Sequence, residues 1–230
     1  MTRVLVPVEV LDGKTVSPGL MTLLGTVDVT VLGYHVLPEQ TPADQARLQY
    51  EERATAALED LSDEFQSAGG AADHRLVFTH DREQTIKRIA DEIRADAFAI
   101  SGMTGTVDNL LVSLSGALND DRILPFVTEL VGDRDIAVTL FLASDDTGAD
   151  RLKAAAEELR AAGLTARTEH AMDGSPFDAL MDAVPGHDAI VMAEQAPSFR
   201  SLFFGDEADR VASASVGPVL VVRHEQETDE

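Results

Sequence analysis

The chain alternates short apolar runs with amphipathic helical stretches along nearly its whole length, and no other feature limits its folds as much. The opening run "RVLVPVEV" (3–10) is apolar and β-branched. "SPGLMTLLG" (17–25) reads as a short helix with Ser17 as N-cap and Pro18 at the first position. "VDVTVLGYHV" (27–36) is a second strand, and residues 41–70 form a long helix that starts at a Thr-Pro cap and ends at a Gly pair. "HRLVFTHD" (74–81), a helix over 82–95 with Ile86, Ile89, Ala90 and Ile93 on one face, and "AFAISG" (97–102) complete the first series. Strands that are apolar on both faces and separated by helices predict a parallel sheet covered on both sides, wound by right-handed crossovers. In such sheets ligands bind beyond the carboxyl ends of the strands.

The series then repeats. "LLVSLSG" (110–116) matches the first strand. Residues 121–143 match the short helix and second strand, with Val29-Thr30 answered by Val138-Thr139. Residues 148–164 are a shortened long helix, "ARTEHAMDG" (166–174) the third strand, "SPFDALMDAV" (175–184) another Ser-Pro helix, and "DAIVMA" (188–193) the counterpart of "DAFAIS" (96–101). The expectation is two tandem doubly wound α/β units, 1–106 and 107–225, followed by an acidic tail, 226–230. Only the second unit has a closing helix and strand, "DEADRVASAS" and "GPVLVVR".

Charge narrows the partners. There are 41 Asp plus Glu against 18 Lys plus Arg, a formal net charge of −23, and only three of the cations are lysines (Lys14, Lys87, Lys153). Such a surface repels nucleic acid and anionic membranes, and it repels itself unless salt screens it. A Lys-poor, acid-rich surface is that of a protein from a salt-filled cytoplasm, so a halophilic origin is expected. With no cysteine, disulfides, thiol catalysis and thiolate metal sites are excluded. No apolar run reaches eighteen residues and the N-terminus lacks a signal-peptide layout, so no membrane insertion and a cytoplasmic location are expected.

Several stretches resemble the universal stress protein family. "PVLVVR" (218–223) is similar to that family's last strand, "SLFFGDEADRV" (201–211) to its final loop and helix, "RVLVPVE" (3–9) to its first strand and "VTVLGYHV" (29–36) to its second. The resemblance implies a flavodoxin-like sandwich with strand order 3-2-1-4-5 and pairing of two such units. Some members bind ATP through Gly, two residues, Gly, nine residues, then Gly followed by Ser or Thr, together with an Asp ending the first strand. The glycines let backbone amides approach the phosphates.

Both units depart from that motif. In the second, "AEQAPSFRSLFFGD" puts Ala193 and Ala196 at the first two glycine positions; Gly205 follows after eight residues, and Asp206 stands where a hydroxyl should. A carboxylate facing a triphosphate costs on the order of a few kcal/mol, whereas Asp at a helix start is worth roughly 0.5–2 kcal/mol over Ala. Asp206 therefore reads as a cap and Gly205 as the remnant of a phosphate loop. In the first unit, Gly102 and Gly105 form "GMTG" but the helix completing the site is missing, and Glu9, after Val8, replaces the Asp. The candidate or vestigial nucleotide loop thus comprises Val8, Glu9, Gly102, Gly105, Gly205 and Asp206. No cofactor is expected, and ATP is disfavoured.

Other candidates read as structural. The six histidines show no metal-ligand spacing; His35 ends a strand, and His80-Asp81 and His170 with Asp173 are placed at equivalent strand ends. Asp145-Asp146 reads as a helix-start cap. No Gly-x-Ser-x-Gly elbow supports serine chemistry. The expected function is a non-enzymatic universal-stress-type sensor of a small ligand, or an interaction module, in stress adaptation, with a protein or small-molecule partner. Two alternatives stay open: an ATP-binding or slow ATP-hydrolysing protein using "GMTG", and a regulatory module associated with an amino-acid transporter. Because only the second unit has a fifth strand, its bare edge predicts a homodimer through Gly217 to Arg223.

Overall fold

A computed structural model of the chain describes residues 2–13, 15–100, 102, 104–114, 120–144, 148–172, 175–194 and 217–223. The chain divides into two compact units, residues 1–101 and 102–230.

The first unit runs β1 (Arg3–Glu9), a 3-10 turn (Val10–Asp12), α1 (Pro18–Leu23), β2 (Asp28–Val36), α2 (Ala43–Ser67), β3 (Ala71–Thr79), α3 (Arg82–Glu92) and β4 (Ala97–Ile100). Its strands lie in the order β3-β2-β1-β4, and the pairs are parallel. Burial follows position. Val4, Leu5 and Val6 of the central β1 are sealed from solvent, as are Val31 and Leu32 of β2. β3, at the end of the order, exposes Asp73 and Arg75 and carries the polar residues that protect an edge. Gly33 of β2 has a packing role, because a Cβ there would meet the Leu58 side chain of α2 at 2.5 Å. The predicted apolar face of α3 is the buried one: Ile86, Ile89, Ala90 and Ile93 are all at most 9% exposed.

Helix starts follow the sequence in two cases and depart from it in two. Ser17 accepts a hydrogen bond from the Leu20 amide at 3.4 Å, as expected of an N-cap. Asp81, read as the last strand residue, instead caps α3 by accepting from the Gln84 amide at 2.9 Å. The Ser175 cap of the second unit behaves as predicted. The Thr-Pro start of α2 does not: its N-cap is Pro42, with no side-chain cap.

Among the described residues, the helix ends show one strained position. After α3, the Ala95 amide reaches back to the Ala90 carbonyl at 2.8 Å while Arg94 adopts φ 52°. The same closure after α2 uses Gly69 at φ 100°, which has no Cβ to clash. We expect Arg94→Gly to raise stability by up to about 1 kcal/mol, read as a shifted urea midpoint at unchanged slope.

The second unit comprises β5 (Asn109–Ser113), α4 (Asp120–Val131), β6 (Ala137–Ala143), α5 (Gly148–Ala161), β7 (Thr165–Ala171), α6 (Pro176–Ala183), β8 (Ala189–Ala193) and β9 (Val219–Val222). Its parallel order is β7-β6-β5-β8-β9, which read by position within the unit is 3-2-1-4-5. Arg134 closes α4, donating to the carbonyls of Leu130 and Val131, and burial pushes its guanidinium below its ordinary pKa. A cation belongs there, at the negative end of the helix dipole.

β9 differs from the expectation built on it. Although last in its unit's order, its four side chains are 0–5% exposed within the single chain. The homodimer through Gly217 to Arg223 was argued from an exposed apolar edge, whereas these side chains are not exposed, so a second chain there would pair through the strand's backbone. The predicted closing helix and the acidic tail, 226–230, lie outside the described residues.

Candidate functional site

The carboxyl ends of β1 and β2 bring together polar side chains of metal-ligating type. β1 delivers Val8, which is buried, and Glu9, which is half-buried. The chain then tightens into the 3-10 turn that carries Asp12 and is closed by Gly13 at φ 68°. β2 runs alongside, pairing Tyr34 with Glu9. His35, one residue on, has its ring 5.8 Å from Tyr50 of α2 and 6.4 Å from Phe78 of β3, centroid to centroid. As a result, one ligand atom from each of Glu9, Asp12 and His35 lies within 4.8 Å of the other two.

Two buried atoms of the first unit lack hydrogen-bond partners among the described residues: the Nδ1 of His35 and the Nε of Arg82 at the first turn of α3. An unpaired buried polar group costs about 1–3 kcal/mol, so such atoms call for an explanation. Arg82 has a partial one, since its guanidinium lies 5.5 Å above the Tyr34 ring and gains cation–π attraction. Beside it the Thr79 and Thr85 hydroxyls meet at 2.7 Å, and the His80 Nδ1 lies 3.3 Å from the Leu37 carbonyl.

The other nucleotide-loop candidates are distributed as follows. Gly102 and Gly105 fall in the second compact unit. A Cβ on Gly105 would meet nothing within 4 Å, so no packing demand explains that glycine. Gly205 and Asp206 lie outside the described residues, as do Ala196, Asp145, Asp146 and Asp173. Ala193, at the first glycine position, ends β8 with its side chain 1% exposed.

The carboxyl ends of the second unit are furnished differently. Ser144 Oγ lies 3.2 Å from His170 Nε2, which is also 3.2 Å from the Ser144 carbonyl. Glu194 and Arg223 approach to 4.0 Å after β8 and β9, the arginine largely buried. Ser113 Oγ, at the end of β5, is buried without a hydrogen bond among the described residues. The strand registers also separate two histidines that the sequence had placed together. Val29 pairs with Ala72 and Val138 with Ala166, so His170 corresponds to Leu76 and His80 lies beyond the strand.

At the amino ends of β1–β3, a hollow of about 520 Å³ is lined by Arg3, Arg75 and Arg94 facing Asp28, Asp73 and Glu92. Arg75 and Glu92 pair at 3.1 Å, and Arg3 donates to the Ile93 carbonyl at 2.7 Å. Three cations against three carboxylates leave that hollow without a charge preference.

Sequence reasoning missed the meeting of Asp12 and His35 with Glu9. Glu9 and Asp12 are close in the chain, but His35 joins them only through β1–β2 pairing, which spacing alone does not reveal.

No protein-family model and no curated protein matches the chain. Solved structures do. A universal stress protein from Archaeoglobus fulgidus DSM 4304 is similar over 99% of this chain and 97% of its own, at TM-score 0.67 and 18% identity. The cytoplasmic domain of a prokaryotic cation chloride cotransporter is similar over 96% of this chain and 94% of its own, at TM-score 0.51 and 10% identity. A universal stress protein from Pseudomonas aeruginosa UCBPP-PA14 matches over 97% and 93%, at TM-score 0.50 and 12% identity. Among the described residues no helix is long and apolar enough to cross a membrane. At these identities the likeness is one of architecture, and it agrees with the strand order: the chain has the α/β fold of the universal stress proteins.

Proposed function

We propose that the chain is a two-copy universal stress protein that works without catalysis, as a small-ligand sensor or interaction module in the cytoplasm of a salt-adapted cell. One observation supports the non-nucleotide part most. Ala193, which replaces the first glycine of the phosphate loop, is a buried strand residue at the end of β8 and carries a Cβ where the motif calls for the bare backbone of glycine. Asp206 adds a charge of the wrong sign in the sequence. In the first unit Glu9 replaces the expected Asp, and the final helix is lacking.

A second reading has a specific observation in its favour. The likeness to a cotransporter's cytoplasmic domain spans nearly the whole of both chains, which fits a regulatory module that serves a membrane transporter. Both readings make the chain a binding module and not an enzyme. Thermal melts with and without millimolar Mg-ATP test the shared part. An unchanged midpoint supports it, and a rise of several degrees promotes an ATP-binding protein instead.

A further inference from the structure

We propose that Glu9, Asp12 and His35 form a binding site for one divalent transition-metal ion, with water completing its coordination. The first support is distance. Two ligand atoms held 2.2 Å from one metal ion are separated by at most about 4.4 Å. The three ligand atoms already lie within 4.8 Å of one another. The set is therefore within about half an ångström of what a bound ion requires, a difference that small side-chain adjustments cover.

The second support is the state of the His35 ring. Its Nδ1 is buried and makes no hydrogen bond among the described residues. The ring packs against Tyr50 and Phe78. A histidine whose ring is fixed by packing and whose Nδ1 has no hydrogen-bond partner among the described residues has no polar contact at that nitrogen to give up when the ring ligates an ion. The usual polar support of a metal-bound imidazole is replaced here by two aromatic rings.

The donor set selects the ion class. Two carboxylates neutralise a divalent charge, while an imidazole nitrogen favours Zn²⁺, Co²⁺, Mn²⁺ or Fe²⁺ over Mg²⁺ and Ca²⁺, which take oxygen ligands. The site lies beyond the carboxyl ends of β1 and β2, where open α/β sheets hold their ligands. An ion there ties the 3-10 turn after β1 to the end of β2. It would do so independently of any nucleotide, so the site stands or falls apart from the function proposed above.

Co²⁺ is a suitable probe because its visible bands report coordination number. The full chain is stripped with chelator and titrated with CoCl2 in 2 M KCl, where loose association with the other carboxylates is screened. No nucleotide is present. We expect one equivalent to bind with a dissociation constant below about 100 μM. His35→Gln and Asp12→Asn should each weaken it at least tenfold, whereas Glu51→Gln on α2 should leave it unchanged. If His35→Gln does not fold, Asp12→Asn decides alone, since that residue is exposed and the replacement keeps its shape. Absence of saturable uptake by the wild type overturns the proposal. So does uptake that Asp12→Asn leaves undiminished, because the ion would then rest on other carboxylates.

Discussion

Raising KCl from 0.1 M to 2 M should lift the melting midpoint of this chain by roughly 10 °C. The argument starts from 41 carboxylates opposed by 18 cations. Two like charges 10 Å apart in water repel by about 0.4 kcal/mol unscreened, and by about 0.15 kcal/mol when the Debye length is about 10 Å. At 1 M salt the Debye length is about 3 Å and the repulsion almost vanishes. Summed over a few close neighbours for part of the acidic surface, the relief is on the order of 4 kcal/mol, and about 2–4 °C per kcal/mol is usual at this chain length. The ion pairs described do not offset it. Arg47–Glu51, Lys87–Glu83 and Arg88–Glu92 are all half-exposed pairs one helical turn apart, worth a few tenths of a kcal/mol each. A midpoint that stays flat from 0.1 to 2 M would remove the salt-adapted reading.

Val221→Lys should have the largest effect of any single substitution considered. Val221 is fully buried at the centre of β9, between Leu220 and Val222, which are buried as well. An ammonium group there has no partner, and an unpaired buried charge costs several kcal/mol. Typical domains have only about 5–15 kcal/mol in total. The expected result is loss of the cooperative transition, or a midpoint lowered by at least about 10 °C, in melts at molar salt. On a bare edge strand the same lysine would leave the fold intact and act on association only. A variant that folds like the wild type and differs only in light scattering would therefore support the homodimer through Gly217 to Arg223.

Much of the fold was legible because its signals are local. Strand-period apolar runs located β1, β2, β6, β8 and β9, and the Ser-Pro pairs at 17–18 and 175–176 marked two helix starts that the structure reproduces. The misreadings share a physical cause. Asp81 looked like the end of a strand because nothing in "FTHD" distinguishes a strand residue from the cap that follows it. β3 starts at Ala71, three residues before the predicted His74, because small residues at 71–73 carry no apolar pattern yet still pair with β2. Thr41 offered a hydroxyl for capping, but the chain turns one residue later, at Pro42.

The candidate site was less legible. Glu9 was singled out for its place at the end of β1, and the structure sets it beside Asp12 and His35. Neither of those two had a sequence signal for that role: Asp12 sits in a turn of three residues, and His35 read as structural. Their meeting depends on the register of β1 against β2 and on α2 pressing Tyr50 against the His35 ring. Such a contact is set by tertiary packing and not by spacing along the chain.

Calorimetric titration with Mg-ATP at molar salt tests the central claim most directly. The expected result is no binding tighter than about 1 mM, equivalent to some −4 kcal/mol, because Ala193 and Asp206 oppose a phosphate in the second unit and the first lacks its final helix. Micromolar binding of one equivalent, abolished by Gly102→Val and Gly105→Val, would contradict the claim and identify the chain as a nucleotide-binding protein that uses its "GMTG" loop.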